Sequence, residues 1–293
     1  MSISASLVKE LRDRTAAAMM DCKRALEETK GDIEAAIQLL RERGAIKAAK
    51  KGDRITAEGL VAFAVSADNR KAAIVEVNCE TDFVARAEDF IQFTQTVAQL
   101  ALQHHTEDLE QLNKVVFNAS ENITVEAKRQ ALIAKLGENI NVRRIVLVNS
   151  QGLIGAYSHG NRIGVLVAMK QGDMSLAKDL AMHVAALQPL VVRPDEISAQ
   201  LIEKEREIYT VQAAESGKPA DIVAKMVEGR ISKYLDEVSL LGQAFVKDQN
   251  TKVSKVLAEQ KAEVESFVRF EVGEGIEKQV VDFATEVMAQ VKG

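Results

Sequence analysis

"GLVAFAVSADNRKAAIVEVN", residues 59–78, and "GLIGAYSHGNRIGVLVAM", residues 152–169, decide the fold between them. Each opens on Gly-Leu, runs through β-rich residues to a turn holding Asn-Arg (Asn69-Arg70 and Asn161-Arg162), and returns along a second β-rich run. Two such runs about a short polar turn read as a hairpin. A helical stretch follows each. Phe90, Phe93, Val97 and Leu100 recur at helical spacing after the first, and "AKDLAMHVAALQ" (177–188) follows the second. Both helices end on Ala-Leu-Gln, at 101–103 and 186–188. The chain therefore carries an internal duplication of strand, strand and helix. "INVRRIVLV" (140–148) and "ESFVRFEV" (265–272) supply one completing strand per copy, each after a helical insertion. Antiparallel hairpins flanked by helices give an α+β class, as opposed to a doubly wound sheet.

The two copies differ in one place. From Arg70 to Gln103 is 33 positions, and from Arg162 to Gln188 is 26. The surplus falls around "CETDFVARAED" (79–89), and residues that one copy needs and its sister lacks read as surface loop, where binding concentrates. Aromatics make up only 4% of the chain, yet Phe83 stands here between Asp82 and Val84. Two readings stand open. An outward ring would contribute roughly 1.5–3 kcal/mol when buried in a partner, with Asp82 accepting hydrogen bonds that fix its aim. An inward ring would anchor the loop to its own core.

The 293 residues allow a sizeable core and more than one domain. A 47% hydrophobic and 28% charged composition is ordinary for a soluble globular protein. No apolar run reaches the roughly 18 residues of a transmembrane helix, and "MSISASLVKELRDRT" is not a secretory signal, so a cytoplasmic location is expected. Cys22 and Cys79 form no CxxC pair, and His104, His105, His159 and His183 show no ligand spacing, so neither a metal nor another cofactor is expected. A net charge of −5 argues against direct nucleic-acid binding. One local exception is "RERGAIKAAKKGDR" (41–54), with six basic and two acidic side chains, which reads either as a solvated linker or as a ribosome or nucleic-acid contact.

Residues 1–54 read as three short helices. Leu7, Val8 and Leu11 share a face behind Ser4 as N-cap. Met19, Cys22, Ala25 and Leu26 line the second helix; Asp32 caps the third, whose stripe is Ile33, Ala36, Ile37 and Leu40 and which Gly44 is expected to end. Met19 and Met20 either face a partner, as flexible thioethers suit an adaptable surface, or one of them turns inward. The second copy's insertion, 193–235, holds two helical stretches with narrow apolar seams, Ile197, Leu201, Ile208 and Val211 in one, Val223, Met226, Val227 and Tyr234 in the other. Ser216-Gly217-Lys218-Pro219 breaks between them. A narrow stripe amid charge indicates an antiparallel coiled-coil hairpin, a spacer or, in the preferred reading, a self-association arm.

No catalytic constellation emerges: there is no GxSxG and no GxxxxGK[ST], and the two glycines of "EVGEGIEK" (271–278) lack the dinucleotide spacing. Cys79, close to Glu80 and Asp82, is a poor nucleophile. An interaction protein, not an enzyme, is the expectation.

The chain resembles the bacterial elongation factor Ts family, guanine nucleotide exchange factors for elongation factor Tu. The likeness runs through "MMDCKRAL" (19–26), "GAIKAAKK" (44–51), "EVNCETDFVA" (76–85), "GENINVRR" (137–144), "HGNRIGVLV" (159–167), "AMHVAA" (181–186), "KMVEGR" (225–230) and "RFEVGEGIEK" (269–278). It implies a UBA-like helical domain (1–54), a core of two halves (55–148; 149–192 with 236–272), a coiled-coil insertion (193–235) and a C-terminal helical module (273–293). It also implies that the Thr81-Asp82-Phe83-Val84 loop wedges between helices of the GTPase, disturbs its Mg²⁺ and releases GDP. Leu11, Met19 and Met20 are implied to touch the partner's nucleotide domain; His159 and the helix bearing His183 are implied to face another of its domains. Where the family commonly has Thr-Gly-Ala-Gly, this chain has Thr15-Ala16-Ala17-Ala18, which implies a tighter or more helical turn.

Overall fold

The computed structural model describes residues 3–15, 17–118, 122–215 and 219–277. Helices α1 (Ala5–Thr15), α2 (Met19–Glu28) and α3 (Ile33–Ala49) form the N-terminal bundle around Val8, Leu11, Cys22, Ala25, Leu26 and Ala36. Ser4 Oγ accepts from the Leu7 amide and Asp32 from the Ala35 amide, which starts α1 and α3 as the capping residues imply. Gly44 does not end α3. The helix runs on to Ala49, and the bare Gly44 backbone lies against the Gln130 carbonyl of a later helix. Most of the basic run is therefore helical, with Arg43 paired to Glu28 and Lys47 to Asp21. Before α2, Ala17 and Ala18 are not helical. Ala18 is extended at φ −61° and ψ 141°, a conformation open to alanine, and Ala16 lies outside the described residues.

The hairpin β1 (Glu58–Val65) and β2 (Lys71–Cys79) leads through a single helical turn, α4 (Asp82–Ala85), into α5 (Glu88–His104). The first insertion is α6 (Leu109–Lys114), a small ladder of β3 (Val116–Asn118) and β4 (Ile123–Thr124), and α7 (Val125–Leu136), the helix that Gly44 meets. Strand β5 (Ile140–Asn149) then completes an antiparallel sheet of order β1-β2-β5. The second copy repeats this with β6 (Leu153–His159), β7 (Ile163–Gln171) and α8 (Met174–Leu187). A long hairpin follows, α9 (Ala199–Ala214) and α10 (Ala220–Val238), then β8 (Ala244–Phe245), β9 (Asp248–Lys252), α11 (Val253–Glu259) and β10 (Glu263–Glu271). Its sheet has the order β10-β7-β6, so each copy places the second hairpin strand centrally.

The central strands are apolar on both faces because each sheet is covered twice. Along β2, Ala73, Val75 and Val77 face the core under α5, while Ala72 and Ile74 face the other sheet. Along β7, Val165, Val167 and Met169 face α8, while Leu166 and Ala168 meet the first sheet. The layers run helix, sheet, sheet, helix. In α9 and α10 the inward seam is Ala213, Val227 and Ile231 with Ile202, Tyr209, Val223 and Leu235. Ile208 and Val211, expected inside, are exposed, so the seam on α9 lies one residue over from the expected phase. The connecting Ser216, Gly217 and Lys218 lie outside the described residues, as does the C-terminal segment beyond residue 277.

Candidate functional site

The surplus of the first copy is the junction 80–87 between β2 and α5, where only Gly172 and Asp173 join β7 to α8. It forms a ledge packed from below and hydrogen-bonded from the side. Thr81 Oγ1 accepts from the Val84 amide and starts α4. Val84 and Ala85 are buried in the core under α5 and pin the turn from below. Phe83, on the opposite side of that turn, is 81% exposed. The inward alternative is thus excluded: the ring is offered to solvent while its neighbours hold the backbone. Asp82 pairs with Arg86 at 2.7 Å, a surface pair of little energetic weight.

Across the ledge stands Glu138, from the turn between α7 and β5. Its Oε2 accepts from the Glu80 amide at 3.1 Å and the Thr81 amide at 2.9 Å, and its Oε1 accepts from the Thr81 hydroxyl at 2.5 Å. Glu80 Oε1 accepts in return from the Asn139 amide at 2.6 Å. The buried Asn139 side-chain amide donates to the Gly52 and Arg54 carbonyls at 3.1 Å each, and Arg54 pairs with Glu80 at 3.5 Å. One cluster therefore joins the ledge, the entry to β5 and the segment leaving the helical bundle. Cys79 donates its thiol to the Thr81 carbonyl at 3.1 Å. Burial first, then the Glu138 and Glu58 carboxylates, push that thiol up to about 12. The expectation of a poor nucleophile holds, but the carboxylates responsible are not Glu80 and Asp82.

The other expected contact residues are divided. Met19 and Met20 are each 58% exposed at the start of α2, so neither turns inward. His159 is exposed at the tip of the β6–β7 hairpin, with its ring stacked beside Tyr157. Leu11 and His183 are corrections. Leu11 has no exposed surface, because the thin bundle spends it on its own core. His183 is likewise fully buried: its Nε2 hydrogen-bonds Gln243 Oε1 at 2.9 Å, and its Nδ1 accepts from the Val246 amide at 3.1 Å. Those partners fix the neutral ring with its proton on Nε2. The ring locks α8 to the chain on both sides of β8 and cannot reach another molecule.

A second cluster, which the sequence did not reveal, surrounds Glu76. This carboxylate is completely buried on β2 and accepts from Arg143, Arg144, Asn78 and the Gly273 amide. Burial alone would raise its pKa; the Gly273 amide, Asn78 and Arg144 outweigh it and hold the group below the ordinary carboxylate value. The register of β2 on β5 slips between Glu76 and Val77, so that Arg143 is the extra residue of a bulge. Consecutive strand side chains normally point to opposite faces, and the bulge is what lets two adjacent arginines converge on one acid. The first glycine of "EVGEGIEK" finds its use here. Gly273 sits at φ +75°, and a Cβ on it would come within 2.4 Å of the Ala57 carbonyl oxygen, so only glycine lets the chain close over Glu76.

The ledge thus presents an exposed aromatic ring on an α+β core. The family model described as elongation factor TS matches residues 80–274. Elongation factor Ts of Legionella pneumophila (strain Lens) is 55% identical over 291 residues, 99% of either chain. That of Thioalkalivibrio sulfidiphilus is 54% identical over 295 residues, all of both chains, and that of Methylococcus capsulatus 54% over 293. The chain belongs to the elongation factor Ts family, the guanine nucleotide exchange factors of translation elongation. No helix among the described residues is long and apolar enough to cross a membrane.

Proposed function

We propose that this chain releases GDP from elongation factor Tu by driving Phe83 between helices beside the nucleotide site, with Thr81, Asp82 and Val84 shaping the wedge and Mg²⁺ displaced from the partner. The observation that carries the reading is the pairing of an 81%-exposed ring with a backbone held by buried Val84 and Ala85. A GTPase grips its diphosphate through backbone N–H groups and Mg²⁺, both geometrically demanding. A small intrusion weakens both, since packed regions respond by discrete rearrangement. The coupling is reciprocal, so bound nucleotide weakens the factor's hold by the same ratio.

Met19 and Met20 on the UBA-like bundle, and His159 on the second half of the core, add affinity that offsets the cost of forcing the switch. Leu11 and His183 support those surfaces from inside. The helical hairpin is an antiparallel coiled coil that pairs with a second copy of the chain through the outward Ile208 and Val211. The protein works in the cytoplasm, without a cofactor and without chemistry of its own. Burying the Phe83 ring contributes roughly 1.5–3 kcal/mol, so Phe83→Ala slows maximal GDP release by about ten- to a hundredfold while retaining part of the partner affinity. Stopped-flow release of a fluorescent GDP decides it: a wild-type rate from the variant excludes the wedge.

A further inference from the structure

Exposing a ring is only half of a wedge; the other half is something that stops the ring from yielding. Val84 and Ala85 resist inward movement of α4, and a second constraint acts on the backbone where it leaves β2. That constraint comes from across the sheet. Glu138 receives three hydrogen bonds from two consecutive residues, the Glu80 and Thr81 amides and the Thr81 hydroxyl. Both amides belong to backbone that has left the β2 ladder, so without Glu138 they would have no carbonyl partner in the sheet. The same Thr81 hydroxyl caps α4, so the proton it gives to Glu138 and the lone pair it gives to Val84 orient one another. Glu80 returns a bond to the next residue, Asn139. Two segments 58 positions apart are clasped reciprocally, and the half-buried carboxylate forms charge-assisted bonds that are the stronger kind.

We propose that Glu138 is the positioning residue of nucleotide exchange: its carboxylate sets the orientation of the Thr81-Asp82-Phe83-Val84 turn before the partner arrives, so that docking energy is delivered through Phe83 and is not lost in bending the loop. Glu138 need not touch the partner to do this. The inference rests on the wedge reading given above, and the following experiment separates the two.

Glu138→Gln keeps the size of the side chain but replaces one accepting oxygen with an NH₂ that faces donors. Glu138→Asp keeps the charge and withdraws it by one methylene. Both are compared with Phe83→Ala and with the Phe83→Ala/Glu138→Gln double variant, after circular dichroism has shown each to be folded. The measurements are the maximal rate and half-saturating concentration for release of fluorescent GDP from elongation factor Tu, and amide hydrogen exchange at Glu80 and Thr81 in the free protein. Loss of charge-assisted bonds at the base of the turn lowers the maximal rate by about tenfold in Glu138→Gln, with a smaller change in half-saturation and an intermediate rate in Glu138→Asp. The double variant is no slower than Phe83→Ala alone, because Glu138 acts through the ring; a purely structural role would multiply the two defects. Exchange at both amides quickens. Multiplying defects, or unchanged amide protection, overturns the positioning role. A wild-type rate from Glu138→Gln beside a slow Phe83→Ala overturns it while leaving the wedge standing. A wild-type rate from Phe83→Ala removes the wedge, and with it any role for Glu138 in aiming one.

Discussion

Replacing Glu76 by Gln tests the cluster that ties the end of β10 to the first sheet. In the native chain the carboxylate accepts from Arg143 at 3.1 Å, Arg144 at 2.6 Å, Asn78 at 3.0 Å and the Gly273 amide at 2.8 Å. Gln can still accept from one side, but its amide hydrogens face donors, and Arg143 loses its counter-charge while Arg144 keeps Glu274 at 3.0 Å. Breaking a fully buried pair costs about 3–5 kcal/mol. Here Arg143 and Arg144 keep about a quarter of their side-chain surface in water, 25% and 30%, so both relax partly into solvent. The lower end, about 3 kcal/mol, is expected. For a chain of this size that lowers Tm by roughly 6–10 °C.

The pH dependence follows from the depressed carboxyl. Its stabilising contribution is complete above the unfolded value of 4.5 and is lost as pH falls through the lower folded value. Thermal unfolding of both proteins, followed by circular dichroism from pH 7 down to about pH 3, checks this. The gap in Tm is largest at neutral pH and closes in acid. A gap below about 2 °C at pH 7, or one that persists undiminished in acid, refutes the assignment of a stabilising charged cluster.

His183 gives the complementary signature. Burial lowers its pKa below 6.5, outweighing the Gln243 bond, so the folded chain takes up fewer protons than the unfolded one. Stability is unaffected above pH 6.5 and falls as pH drops below it; His183→Gln, measured by urea unfolding at pH 5.5 and 7.5, flattens that limb at the cost of lower stability at pH 7.5. On the helical hairpin, Ile208→Glu with Val211→Glu leaves Tm unchanged within about 2 °C, since both side chains are solvent-exposed. In light scattering the same variant shifts the mass toward a single chain, and an unaltered mass removes the self-association proposal.

The duplication was legible because both hairpins announce themselves locally, through β-rich runs around Asn69 and Asn161. The surplus at 79–89 was legible for the same reason, as an offset between copies. Three features were not. Gly44 reads as a helix stop, but its lack of a side chain serves contact with α7, which only the fold supplies. On α9 both Leu201 and Ile202, and both Ile208 and Tyr209, are large and at least partly apolar, so spacing alone leaves the seam's phase undetermined; α10 settles it by burying Val227 and Ile231 against Ala213. The clusters at Glu76 and Glu138 join residues far apart in the chain, and no local pattern encodes such partners. "EVNCETDFVA", "GENINVRR" and "RFEVGEGIEK" meet around them in space, which gives those blocks a shared physical reason.

The duplication also bears on how the ledge that carries Phe83 is supported. Asn69, in the first turn, accepts at its carbonyl from the Ile154 amide of the second copy; Asn161, in the second turn, accepts from the Val61 amide of the first. Each turn further receives an amide from the end of its own completing strand, Ser150 on Arg70 and Val272 on Arg162. Both asparagines sit at φ +57°, so the bonds are exchanged about an approximate two-fold axis between the sheets. Such reciprocal pairing resists sliding of one sheet over the other in either direction, because any shift lengthens one cross-copy bond as it strains its counterpart. The ledge carrying Phe83 springs from β2, the central strand of this doubly braced pair, whereas the corresponding connection in the second copy is only Gly172 and Asp173. On the wedge reading proposed above, the copy that lacks the ledge braces the copy that has it through these cross-copy bonds.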